Sequence, residues 1–138
     1  MKILAVDPGL AKIGLAVCDA TGTVARSLAV IPHQTVAADA ERILAEADRE
    51  HAEQILVGVP GEADASPVTR LAHQLLAGLR ERTGLSVVPW DESFSTQTAS
   101  AVRRERGDSR KARRRPDDAL AAAAFLQEYL DEHSQAKH

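Results

Sequence analysis

Aromatic residues are scarce, with two Phe, one Trp and one Tyr in 138 residues. So few rings argue against a long base-stacking platform of the kind that grips single-stranded nucleic acid. The one cysteine, Cys18, excludes an internal disulfide and any cluster of thiolate metal ligands, and it points to a reducing compartment. No apolar run approaches the ~20 residues of a membrane span, and Ile3 to Val6 is too short for the core of a signal peptide. We therefore expect a cytoplasmic protein with no membrane partner. The five histidines (His33, His51, His73, His133 and His138) have no ligand spacing and read as surface or core residues. GLAKIG lacks the Lys-Ser/Thr that a P-loop requires.

What is present is a chain the size of one ordinary domain, 1–138, with clear periodicity. Lys2 to Asp7, Lys12 to Cys18 and Thr23 to Ile31 are short apolar or alternating runs separated by Pro8-Gly9 and Thr21-Gly22, which predicts an antiparallel meander of three strands. Val36, Ala40, Ile43, Leu44 and Ala47 recur at helical spacing, and Gln54 to Val59 follows as a nearly continuous apolar strand. A second helix is expected from Ser66-Pro67, with a stripe of Val68, Leu71, Ala72, Leu75 and Leu79 and a stop at Gly84. Leu85 to Trp90 is the fifth strand. Helical crossovers imply parallel pairing, so the expected fold is α/β, a five-stranded mixed sheet of three antiparallel strands plus two parallel ones, flanked by helices on both faces.

In such a sheet ligands gather at the carboxyl ends of the parallel strands. Asp7 ends the first strand, Asp91-Glu92 follows the fifth, and Asp117 and Asp118 open an Ala-rich helix beginning near Pro116. Each acid alone has an ordinary explanation as a turn residue, a decoration ahead of a helix, or a partner of the helix dipole. Three distant segments delivering carboxylates to one edge is another matter, because clustered like charges repel unless a cation neutralises them. Hard oxygen donors without Cys or paired His favour Mg²⁺ or Mn²⁺ over Zn²⁺.

Net charge is −3, yet residues 103–115 (RRERGDSRKARRR) hold eight Lys or Arg against Glu105 and Asp108, a local +6 that leaves −9 for the rest. A basic block on an otherwise acidic chain is a candidate polyanion contact. Its ordinary alternative is a solvated loop.

DPGLAKIGLAV, ILVGVP, WDESFSTQTA and DDALAAAAFLQEYL, taken as a set, resemble the YqgF (RuvX) family of nucleases, described as Holliday junction resolvase-like or as pre-16S rRNA nucleases. The likeness spans nearly the whole chain. It implies a ribonuclease H-like fold with Asp7, Glu92 and Asp118 as the metal-binding catalytic acids, Asp118 being preferred to Asp117 by its spacing from Tyr129. Phosphodiester hydrolysis with two metal ions about 3.5–4 Å apart is the implied chemistry. Gly9 leaves the hairpin backbone open to a strand, while Lys12, Arg110, Arg113, Arg114 and Arg115 are candidate phosphate contacts.

The chain departs from the family pattern where Lys12 and Ser93 replace arginines, which weakens bidentate phosphate gripping, and where GEADASP follows VGVP. Pre-16S rRNA is the expected substrate, with branched junction DNA as the alternative. A two-fold junction would favour a homodimer. Two readings of other classes are a non-catalytic module binding RNA or a transcription complex, and half of an actin-like ATPase, which 138 residues are too few to complete.

Overall fold

The computed structural model describes residues 1–60, 66–91 and 118–136, with side chains of the last segment described from 119 to 133. Five strands, β1 (Ile3–Asp7), β2 (Lys12–Cys18), β3 (Ala25–Pro32), β4 (Gln54–Val59) and β5 (Ser86–Asp91), form one sheet in the order β3-β2-β1-β4-β5. β2 is antiparallel to β1 and β3, whereas β4 is parallel to β1 and β5. The carboxyl ends of β1, β4 and β5 therefore share one edge, as the crossovers predict.

Period-two alternation sends the side chains of β1 to two different layers. Leu4 and Val6 join Ile43, Leu71, Leu75 and Leu79 beneath helices α1 (Val36–Arg49) and α2 (Pro67–Arg82). Ile3 and Ala5 join Ala16, Cys18 and Leu56 beneath Ala122, Phe125, Leu126 and Leu130 of α3 (Asp118–Ala136). The helices thus cover both faces. α1 and α2 meet at Gly78, where a Cβ would sit 3.3 Å from Val36 Cγ1, so the missing side chain sets how closely they approach.

Local chemistry fixes the helix starts. Thr35 caps α1 by accepting from the Ala38 amide, and Ser66 caps α2 by accepting from Thr69, with Pro67 in the first turn. Several boundaries shift by a residue or two from the sequence expectation, and two of the shifts have a visible local cause. β3 begins at Ala25 rather than Thr23, because the amides of Thr23 and Val24 donate to the Asp19 carboxylate and not to a strand ladder. α2 ends as Thr83 turns extended (φ −138°, ψ 152°), and Gly84 makes no left-handed cap. His51 takes the left-handed conformation (φ 58°) just after α1 instead.

Candidate functional site

Asp7 is the last residue of the central strand β1 and shares the α3 face with Ile3 and Ala5. It is opposite Gly14 on β2. Carrying the Val6 to Val57 pairing one residue on makes Gly58 its neighbour on β4, and Gly58 pairs with Trp90. The acid thus has a glycine on either side in its own row of the sheet. Neither neighbour carries a side chain, and Asp7 is partly exposed.

β5 ends at Asp91, paired with Val59. Two strand spacings place its backbone about 10 Å from that of Asp7. Asp91 is exposed and alternates with Trp90, whose side chain packs on the α3 layer. Glu92, the next residue, lies outside the described residues, as do Arg110, Arg113, Arg114 and Arg115.

α3 is oriented by contacts at the opposite edge. Gln127 accepts from the Ala25 amide (2.9 Å) and donates to the Thr23 carbonyl (2.9 Å), while the Tyr129 hydroxyl accepts from Gln54 Nε2 (3.0 Å) at the start of β4. Asp118 lies nine to eleven residues earlier, about 15 Å back along the axis, against a β1 length of about 13 Å. The helix therefore runs against β1, and its first turn comes to the edge that holds Asp7. The backbones of Asp7 and Asp91 end their strands at one edge, and the length and direction of α3 carry its first turn toward that edge; the side chain of Asp118 is outside the described set. Among the described residues no three His, Cys, Asp or Glu side chains are grouped to hold a metal. Asp7 is the one expected ligand whose side chain is described.

Lys12 is exposed at the same edge, opening β2 opposite Pro32. Gly9 has a local structural duty: a Cβ there would lie 2.3 Å from the Lys12 carbonyl oxygen, so the β1–β2 hairpin closes only around a residue without a side chain. His33, expected from the sequence to be a surface or core residue, has a specific partner. The end of β3 brings its Nδ1 onto the carboxylate of Asp39, which is 2% exposed and also accepts from the Gln34 amide at 2.9 Å. A His six residues before an Asp is no motif, and only the turn from β3 into α1 makes the pair.

A mixed five-stranded sheet with β2 reversed and helices on both faces is the ribonuclease H-like arrangement found in junction-resolving nucleases. The structure matches that of Thermus thermophilus RuvC in complex with Holliday junction substrate (TM-score 0.53, 19% identity, 70% of this chain and 68% of that one). It also matches the fowlpox virus Holliday junction resolvase (TM-score 0.57, 16% identity, 96% and 99%). By sequence the chain belongs to the RuvX family, described as Holliday junction resolvase, whose model matches residues 1–132. Relatives bearing the name "Putative pre-16S rRNA nuclease" include one from Syntrophus aciditrophicus, 34% identical over 99% of this chain and 93% of its own length. Another, from Geobacillus kaustophilus, is 36% identical over 95% and 98%. No described helix is long and apolar enough to cross a membrane.

Proposed function

We propose that the protein is a divalent-metal-dependent phosphodiester hydrolase of the cytoplasm that cleaves RNA, with the 5′ region of pre-16S rRNA as its substrate. The observation that carries this reading is Asp7 at the carboxyl end of the central strand, between two glycines, on the edge reached by the end of β5 and the first turn of α3. The nuclease names of relatives matched over nearly the whole chain support this choice of substrate.

Asp7, Glu92 and Asp118 are the proposed metal ligands. Their oxygens suit Mg²⁺ or Mn²⁺. When bound, a pair of such ions supplies Lewis-acid stabilisation of the phosphate charge and an activated water. Asp7, Glu92 and Asp118 would together hold the ions, with Asp7 as the anchor at the end of the central strand. Lys12, Arg110 and Arg113 to Arg115 hold flanking phosphates and position the strand.

A panel of pre-16S rRNA precursor, single-stranded RNA and four-way junction DNA, each with Mg²⁺ or Mn²⁺, tests the reading. The precursor is cleaved, and Asp7→Asn lowers the rate on the order of a thousandfold with the melting temperature retained. Undiminished cleavage by that variant refutes the assignment of the site. Preference for the junction replaces the RNA substrate with branched DNA, the reading favoured by the family description and the structural neighbours, and would bring a symmetric homodimer with it. Mn²⁺ binding that ignores Asp7, Glu92 and Asp118 marks a non-catalytic binding module.

A further inference from the structure

On the far side of the β1–β2 hairpin from α3 lies a cleft of about 340 Å³, bounded by Leu10 at the hairpin tip, the start of α1 and the start of α2. Its polar lining consists of His33, Gln34, Arg70 and Gln74 together with the capping residue Thr35. We propose that this cleft binds a backbone phosphodiester of the nucleic acid whose neighbouring segment occupies the Asp7 edge. The inference rests on the nuclease reading only for the identity of the polymer.

Four features carry it. Arg70 projects from the first turn of α2, and its guanidinium makes no hydrogen bond or ion pair with any described residue, so its charge is not spent on the fold. Opposite it, His33 is held by its Nδ1 contact to buried Asp39 and by donation of its backbone amide to the Ala11 carbonyl (2.9 Å). This fixes the ring on the hairpin. Its Nε2 is the ring nitrogen left over, with no partner among the described residues.

Asp39, the carboxylate in contact with the lining residue His33, would repel an anion if it were open. Instead it is buried, and both its oxygens are engaged, by His33 and by the Gln34 amide. The starts of two helices face the same volume, so the positive ends of two dipoles add to the Arg70 charge. Planar guanidinium next to amide donors is the chemistry that fits a tetrahedral, singly charged phosphodiester.

Position supplies the link to the polymer. Leu10 is three residues beyond Asp7, a chain path of at most about 11 Å. A strand crossing the hairpin can therefore touch the cleft and the Asp7 edge together. Phosphate contacts of this kind set register and carry no sequence information.

The test is binding by the full chain without divalent metal, in EDTA, to a fluorescent RNA oligonucleotide and to junction DNA across a series of KCl concentrations. Arg70→Ala should weaken binding about three- to tenfold and reduce the slope of log affinity against log salt by about one. Arg70→Glu should weaken it further, while melting temperatures confirm that both variants fold. In a parallel arm, inorganic phosphate added to ¹⁵N-labelled protein should shift the amides of Gln34, Val36 and Ala37, and not do so in Arg70→Ala. Unchanged affinity and slope in Arg70→Glu overturn the proposal. Phosphate shifts combined with unchanged nucleic-acid affinity also overturn it, because the cleft would then take free phosphate rather than the backbone. Since no cleavage is read, loss of the pocket and loss of the Asp7 site are separate results.

Discussion

Two aspartates mark opposite edges of the same sheet, and the local sequence makes them look alike. Asp7 ends β1 ahead of Pro8-Gly9, and Asp19 follows β2 ahead of Thr21-Gly22. Asp19 is consumed by its own turn: the Thr21 hydroxyl donates to one oxygen (2.6 Å), and the amides of Thr23 (2.8 Å) and Val24 (3.1 Å) donate to the other. These donors pull its carboxyl down from 3.8 to about 2. That edge is further tied by Gln127 to Thr23 and Ala25, and by Lys2 to Glu50. Around Asp7 the row of Gly14 and Gly58 places no side chain beside it. A carboxylate that completes its own turn and one that ends a strand between two glycines differ in their surroundings, not in the residues that precede a glycine.

The largest effect on the open edge outside the proposed ligands is expected at Gly9. A Cβ 2.3 Å from the Lys12 carbonyl cannot be absorbed by a flexible side chain, so the hairpin must move. Gly9→Ala is expected to cost at least about 2 kcal/mol and to displace Asp7 and Lys12 relative to the sheet. Chemical denaturation reads the cost, and cleavage of the rRNA precursor reads the displacement. A variant of unchanged stability and rate would mean that the hairpin tolerates repacking.

A smaller loss is expected when the tied edge is loosened. Gln127→Ala removes both the acceptor of the Ala25 amide and the donor to Thr23, leaving a half-buried N–H to find water. The expected cost is about 1–2 kcal/mol, with cleavage retained because the first turn of α3 stays held by Ala122, Phe125 and Leu126. Cleavage falling as steeply as in Gly9→Ala would show that the two edges are coupled through α3.

These contrasts show how far the sequence could be read. Strand number and direction follow from alternation and from helical crossovers, and Thr35 and Ser66-Pro67 announce their helices by capping chemistry that acts within four residues. Thr23 and Val24 have the β-branched character of a strand, but the Asp19 side chain takes their amides, so β3 starts later. The His33–Asp39 pair and the Arg70 cleft depend on β3, α1 and α2 meeting at the hairpin, which no local window contains. Asp7 was legible because an acid at the end of an apolar strand needs an explanation. Its distinction from Asp19 required the register that sets Gly14 and Gly58 beside it.

The smallest expected effect isolates Asp19 by its titration. Its folded carboxyl titrates near 2, below the ordinary value of 3.8, so the ionised form is the one the turn stabilises. Its contribution is complete above about pH 5 and is lost as the pH falls toward 2, because protonation weakens acceptance from Thr21, Thr23 and Val24. Asp19→Ala should therefore melt a few degrees below the parent protein at pH 7, and the gap should narrow steadily between pH 4 and pH 2. For Asp7→Asn no such turn is lost, and the expected change lies in cleavage rather than in melting temperature. Thermal scans of both variants across that range separate the two roles. An Asp19→Ala gap that stays constant down to pH 2 would mean that the turn does not depend on the charge.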